Sequence, residues 1–358
     1  MTRAEAFFRD LPIPILQAPM LGASTPAMAL AVSQAGGLGS LAAAGWSPAE
    51  IEAEVARLRA ATDRPFGVNL LMTEPARPDG AVVEAALARL APWYAARGLE
   101  TPAAPNDFAP DFEGQLAAVI RAAPPAASFT FSILRAEQVQ ALQAQGTLVV
   151  GTATTVAEAK AWAAVGADAI CAQGGEAGGH RGTFLAPTED SLIGTLALVP
   201  LIIQAVDLPV IAAGGIMDGR GVAAALALGA AAAQMGTAFL LSDQTTVSPP
   251  WRRALETAGD DATRVTRAFS GRAARGIEND FMRRMRPFEA EIPAYPVQNR
   301  LTQPLRAAAA RQGDAEALSL WAGQAVKLAG PGEAGALVQR WWGEARGAAA
   351  TLAERTRG

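Results

Sequence analysis

Eight short apolar runs, each followed by a stretch with helical spacing, set the strongest constraint on what this chain can fold into. The runs cover residues 13–17, 38–41, 66–70, 128–132, 147–151, 167–172, 209–213 and 232–236. Helical patterns lie between them, for example at 26–35, 48–61, 136–144, 156–165 and 221–228. Most runs are continuously apolar rather than alternating, as strands covered on both faces must be. Eight strand–helix repeats predict an α/β fold, a parallel TIM (β/α)8 barrel. An open doubly wound sheet is the structural alternative. The eight repeats and the lack of a GxGxxG fingerprint after the first strand count against it.

Two regions break the repeat. Residues 73–125 are too long for a simple crossover, are rich in proline and contain Trp93 and Tyr94. They read as a helix-containing excursion over one barrel face. From residue 242 to about 314 the barrel pattern stops and arginines concentrate, which predicts a small helical substrate or cap domain. The closing stretch, 315–358, reads as helical and packed back on the barrel. The expected division is therefore 1–241 for the barrel, with the insertion at about 73–125, then 242–314 and 315–358. Residues 221–241 are long and apolar enough to be weighed as a membrane span. Gln234 and Thr237 interrupt that stretch and Gly229 divides it, so a buried helix followed by a buried strand fits better. The first ten residues carry Arg3, Glu5, Arg9 and Asp10 with no apolar core behind them, unlike a secretory signal. The expectation is a cytoplasmic protein with no membrane partner, a monomer or a homodimer.

Charge and cysteine usage exclude several function classes. The net charge of −4 over 358 residues, with no long basic run, argues against a nucleic-acid partner, since phosphate binding needs clustered Lys and Arg. A single cysteine, Cys171, rules out an intrachain disulfide and every cysteine-cluster metal site. With one histidine as well, no metal site is expected.

That one histidine, His180, ends the segment Gln173-Gly-Gly-Glu-Ala-Gly-Gly-His180 behind the sixth run. Glycines let a backbone turn tightly and approach a ligand closely. Histidine titrates near neutral pH. Barrel enzymes place their chemistry on loops at the C-terminal ends of strands. A glycine-rich turn with an incidental histidine would look the same in isolation. Two further strand ends carry glycine, Gly214-Gly215 and Gln234-Met235-Gly236-Thr237. Loops after the seventh and eighth strands of a barrel commonly hold a phosphate, though two ordinary turns are the alternative. At the first strand end, Ala18-Pro19-Met20 could lie along a planar cofactor or simply terminate the strand. Asn69 and Gln173 are amides in apolar runs, so each should be hydrogen-bonded in the core or facing a ligand.

Together these segments resemble the nitronate monooxygenase family, most closely its bacterial class I branch. The resemblance is carried by Gln17-Ala-Pro-Met20, Ala35-Gly-Gly-Leu-Gly39, Gly67-Val-Asn-Leu70, the 173–180 segment, Ala212-Ala-Gly-Gly-Ile216, Gln234-Met-Gly-Thr237, Ser270-Gly-Arg272 with Arg275-Gly276, and Trp321-Ala-Gly-Gln324. It implies a TIM barrel with non-covalent FMN and an attached substrate domain. It puts Asn69, Gln173, Gly178, Gly215 and residues 234–237 at the FMN, with Gly215, Gly236 and Thr237 at its phosphate; Gly179 and Gly214 flank these positions. It makes His180 the catalytic residue. The family carries several tyrosines in its substrate domain; here Tyr295 is the one available, so it is the candidate substrate-binding residue and the pocket departs from the family pattern. The implied reaction oxidises an anionic alkyl nitronate, such as propionate 3-nitronate, with O2 to a carbonyl compound and nitrite. A flavin-dependent enoyl-ACP reductase and a non-catalytic flavin-binding barrel are the rival readings. The insertion around 101–110 has no place in this scheme.

Overall fold

The structure, a computed structural model, describes residues 1–105 and 107–357. Asn106, within the 101–110 insertion, and Gly358, at the end of the C-terminal stretch, lie outside the described residues. Among the described residues eleven strands run in chain order: β1 (Ile15–Gln17), β2 (Gly39–Ala42), β3 (Phe66–Leu71), β4 (Ala126–Thr130), β5 (Leu148–Ala153), β6 (Ala169–Gln173), β7 (Gly179–His180), β8 (Val210–Ala213), β9 (Ala232–Met235), β10 (Thr263–Thr266) and β11 (Ala274–Ile277). Eight of them form one parallel sheet in the order β1-β9-β8-β6-β5-β4-β3-β2, and a bridge from Leu16 to Leu38 brings its two ends together. The sheet is a TIM barrel. Each of the eight predicted runs overlaps one of its strands.

The helices are α1 (Arg3–Arg9), α2 (Pro26–Gln34), α3 (Pro48–Ala61), α4 (Gly80–Ala95), α5 (Phe112–Ala122), α6 (Ala136–Ala144), α7 (Val156–Ala164), α8 (Thr195–Ile203), α9 (Gly219–Ala227), α10 (Pro249–Thr257), α11 (Asp280–Met285), α12 (Val297–Gln312) and α13 (Ala334–Arg355). Their starts are encoded locally. Thr25 and Ser47 each cap a helix that opens on proline, and Glu50 reaches back to the Ser47 amide to complete a capping box. Such a cap contributes ~1 kcal/mol.

Strand alternation divides the barrel into two apolar layers. Leu148, Val150, Ala169, Cys171, Ile211 and Ala232 point inward, where Ala4, Phe8 and Leu11 from the α1 region join them. Val149, Ile170, Ala172, Val210 and Ala212 point outward against the helices. α1 thus closes the interior at one end, and the opposite end, at the strand C-termini, is left for a site.

The 73–125 insertion splits between the two parts of the molecule. α5 lies against α3 in the helical ring. α4 instead joins a second core, where its Trp93 and Tyr94 meet Phe281, Leu301 and Leu305, and the Tyr94 hydroxyl donates to Leu301 O at 2.6 Å. Residues 242–314, expected to be helical, carry α10, α11 and α12 and also two strands. β10 and β11 pair antiparallel, and β11 pairs on its other edge with β7. The cap is therefore tied by a three-stranded sheet to the loop that follows β6. In the 315–358 stretch, α13 packs on α9 and α2, while residues before it form short 3₁₀ turns rather than a helix. Among the described residues no helix is long and apolar enough to cross a membrane; the 221–241 stretch is resolved mainly into α9 and β9.

Candidate active site

The C-terminal ends of all eight barrel strands open into one cavity of about 780 Å³, within the ~300–1,000 Å³ of small-molecule sites. Its roof comes from outside the barrel, including Phe108 from the insertion, Tyr295, Asn299 and Arg306 from the cap, and Trp321 beyond it.

At one end of the cavity lie Gly214, Gly215, Gly236 and Thr237. The chain turns here through backbone that L side chains avoid, with φ of 113° at Gly214 and 71° at Gly215. The Gly215 and Gly236 amides donate to no acceptor among the described residues. The Thr237 hydroxyl accepts from Gly323 N at 2.9 Å, so its own proton is free. Open amide donors beside a free hydroxyl suit the oxygens of a phosphate. Next to them, Ala18, Pro19 and Met20 form a wall with small or apolar side chains. The residues present fit a phosphorylated planar cofactor.

Asn69 is buried and lines the cavity, donating to Ser128 O at 3.1 Å and Ser128 Oγ at 3.0 Å. Gln173 lines it too, but both ends of its amide are spent on the chain. Its Nε2 donates to His180 O at 3.0 Å and its Oε1 accepts from Gly182 N at 2.8 Å. Gln173 therefore fixes the loop that carries His180. Gly178 lies where Gly323 N would sit 2.5 Å from any added Cβ, so the 321–324 segment can cross here only over glycine. Gln234 also faces the cavity, with Nε2 directed at Cys171 Sγ at 3.5 Å. Met235 is the exception among the expected residues. Its side chain points outward into the layer between barrel and helices, because it follows Gln234 on a strand and successive side chains alternate.

His180 is held on a strand edge, not on a free loop, with its backbone in register with Ala274. Its Nε2 lies 2.8 Å from Ser270 Oγ. The same hydroxyl donates to Arg272 O at 3.0 Å and accepts from Arg272 N at 3.3 Å. Only one proton assignment satisfies all three partners: Nε2–H donates to Ser270, and Nδ1 keeps the free lone pair. Burial pushes the imidazole pKa down to about 3, and the positive charges of Arg272 and Arg306 add to the effect. His180 is therefore neutral at neutral pH. The two arginines are pulled down to about 10 by burial and remain cationic. Arg272 donates to the carbonyls of Arg181 and Thr183. Arg306 donates to Thr302 Oγ1 and to the carbonyl and amide oxygens of Asn299. None of these acceptors is a carboxylate. Burial raises the pKa of Tyr295, against the pull of Thr73, Arg272 and Arg306.

Three aromatic rings surround the imidazole: Phe131 at 5.6 Å, Tyr295 at 5.9 Å and Trp321 at 5.4 Å between centroids. Phe131 follows β4 with φ of 89°, a conformation that costs a bulky residue ~1–3 kcal/mol. It also ends β4 two residues before the predicted limit at 132. Sequence reasoning missed Phe131, Arg306 and the roles of Ser270 and Arg272. An apolar residue just past a strand end was the only signal for Phe131. Nothing in the helical pattern of α12 distinguishes Arg306. Among the described residues no group of acidic, histidine or cysteine side chains could hold a metal.

Residues 6–342 match the family model described as nitronate monooxygenase. A protein of Staphylococcus aureus (strain Newman) named "Probable nitronate monooxygenase" is 43% identical over 317 residues, 88% of this chain and 89% of its own. Among solved structures, a nitroalkane oxidase from Streptomyces ansochromogenes is 43% identical, with a TM-score of 0.90 over 97% of this chain and 99% of that one. FabK from Thermotoga maritima is 29% identical, with a TM-score of 0.75 over 99% of both.

Proposed function

The chain belongs to the nitronate monooxygenase family, and from that premise we propose that it oxidises alkyl nitronates of the propionate 3-nitronate type with O2, using FMN, to a carbonyl compound and nitrite. The observation that carries this reading is a neutral His180 beside two cations, Arg272 and Arg306, whose hydrogen bonds all end on uncharged oxygens. An anion entering the cavity meets the Arg306 guanidinium on its wall, with the charge of Arg272 behind the Phe131 ring, and displaces no carboxylate from either. A nitronate is already a carbanion equivalent and needs no proton removed. A histidine held far below its ordinary pKa is a poor base, which favours a preformed nitronate over a neutral nitroalkane. Bound negative charge would in turn draw a proton toward the imidazole, and Nδ1 is the atom with a lone pair to receive it.

The amides of Gly215 and Gly236 and the Thr237 hydroxyl would hold the FMN phosphate, with Gly214 shaping the turn. The wall from Ala18 to Met20, with Asn69, Gln234, Gly178 and Gly179, would border the ring system. Flavin, when bound, supplies the electron transfer to O2. Tyr295 would contact the substrate from the cap side.

The test is the absorption spectrum and flavin content of the purified protein, followed by O2 uptake and nitrite release with propionate 3-nitronate. One FMN per chain and nitrite formation are expected. Gly215→Asp sets a carboxylate at the phosphate position and should lose the flavin. A protein that neither carries nor takes up FMN overturns the reading. So does one whose flavin is bleached rapidly by NAD(P)H while nitronates leave it unchanged, which is the behaviour of a reductase.

A further inference from the structure

Phe131 touches His180, Tyr295 and Arg272 at once. Its ring centroid is 5.6 Å from that of His180 and 5.3 Å from that of Tyr295, both edge-on. The Arg272 guanidinium carbon sits 4.1 Å from the ring centre. Arg272 is gripped on its other side by the Arg181 and Thr183 carbonyls, and its backbone holds the Ser270 hydroxyl that meets His180 Nε2. The contacts close a circuit: Phe131 to His180, to Ser270, to Arg272, and back to Phe131.

The backbone makes the choice of residue informative. At φ of 89° glycine is the comfortable occupant, and strain of this kind persists where the surrounding structure imposes it, often at functional sites. A buried ring at 6% exposure, wedged between an imidazole and a cation, is what the strained position delivers. We infer that Phe131 is a positioning residue for His180: its ring sets the tilt of the imidazole and, by stacking under Arg272, holds that positive charge beside it. The titratable and charged groups facing His180 are then Arg272 from the segment between β10 and β11, Tyr295 from the turn before α12, and Arg306 from α12 itself. Without the ring, the face of the imidazole that it covers also opens to water, while Arg272, still held by the Arg181 and Thr183 carbonyls, loses its stacking partner. The added hydration favours the protonated form.

The chain has one histidine, so its imidazole C–H resonances can be followed by NMR without assignment. In the wild-type holoprotein they should not titrate between about pH 5 and 8. In Phe131→Gly, which relieves the backbone while deleting the ring, they should titrate with a midpoint near the ordinary ~6.5. The same variant should lose about 10- to 100-fold in kcat with a nitronate, and an acid limb should enter its pH–rate profile. Phe131→Tyr keeps the ring and should preserve both behaviours. A glycine variant with a silent histidine and wild-type kcat overturns the inference, as does a tyrosine variant that fails as badly as glycine. If the glycine variant does not fold, Phe131→Leu decides the matter in the same way: a titrating histidine supports the inference and a silent one overturns it. The kinetic half rests on His180 acting on the substrate. The titration half does not, so failure of the proposed function and failure of the positioning role are separately visible.

Discussion

At the scale of single residues, His180 carries a linkage between folding and pH. Its folded pKa of about 3 lies below the ~6.5 of an unfolded chain. Between those values the unfolded state binds more protons, so stability falls as pH drops through the window. His180→Asn removes that term. Urea unfolding midpoints of the variant should decline less between pH 6.5 and 4 than those of the wild type, while the two agree in slope above pH 7.5. Parallel curves throughout would mean the imidazole is not held neutral by the fold. The place of the residue in the cavity was legible from sequence through the neighbouring strand ends and the family resemblance, since the glycine loop alone read equally well as an ordinary turn. Its state was not. The cations that depress it come from residues 272 and 306, about 90 and 125 positions away, and the strained Phe131 is encoded by nothing except its place after β4.

At the scale of elements, the segment leaving β7 is anchored to α7 through one carboxylate. Glu158 is fully buried and accepts from Thr154 N and Oγ1, both at 2.7 Å, from Thr183 Oγ1 at 2.9 Å and from Leu185 N at 3.0 Å. These hydrogen bonds outweigh burial and hold its pKa below the usual carboxylate value. The stabilisation is therefore present above the unfolded pKa and lost as pH falls through the folded one. Glu158→Gln should cost at least ~1.5–3 kcal/mol at pH 7, the range for a hydrogen bond to a charged group. That gap should narrow as the pH is lowered below about 4. A constant gap in chemical denaturation across pH would contradict the assignment. Barrel strands were readable because a buried parallel strand must be apolar throughout, and the helices because their caps are local. β10 and β11 were not, since Thr263–Thr266 and Ala274–Ile277 include arginines and acquire their character only by pairing.

On the scale of the whole molecule, two apolar cores meet at one cavity, and α13 closes the barrel's outer layer. Its Trp341 is 3% exposed and packs edge-on against Phe239 at 5.0 Å. Phe239 lies in the turn just past Thr237. Trp341→Ala should destabilise the protein by about 3–5 kcal/mol, read as a lowered denaturant midpoint. If the proposed phosphate site is correct, added FMN should recover part of the loss, because a ligand that binds only the folded state stabilises it. A loss below about 1 kcal/mol, beneath the range for large aromatic truncations, would show that α13 is peripheral. The pairing of β7 with β11 has a different consequence. Barrel and cap look like parts that could be traded separately, one for chemistry and one for selectivity, yet the seam between them runs through the backbone of His180. Transplanting the cap onto another barrel would unpick the edge on which the histidine is hung. Changes of substrate in this architecture are therefore to be sought in side chains of the roof rather than in exchange of the whole module.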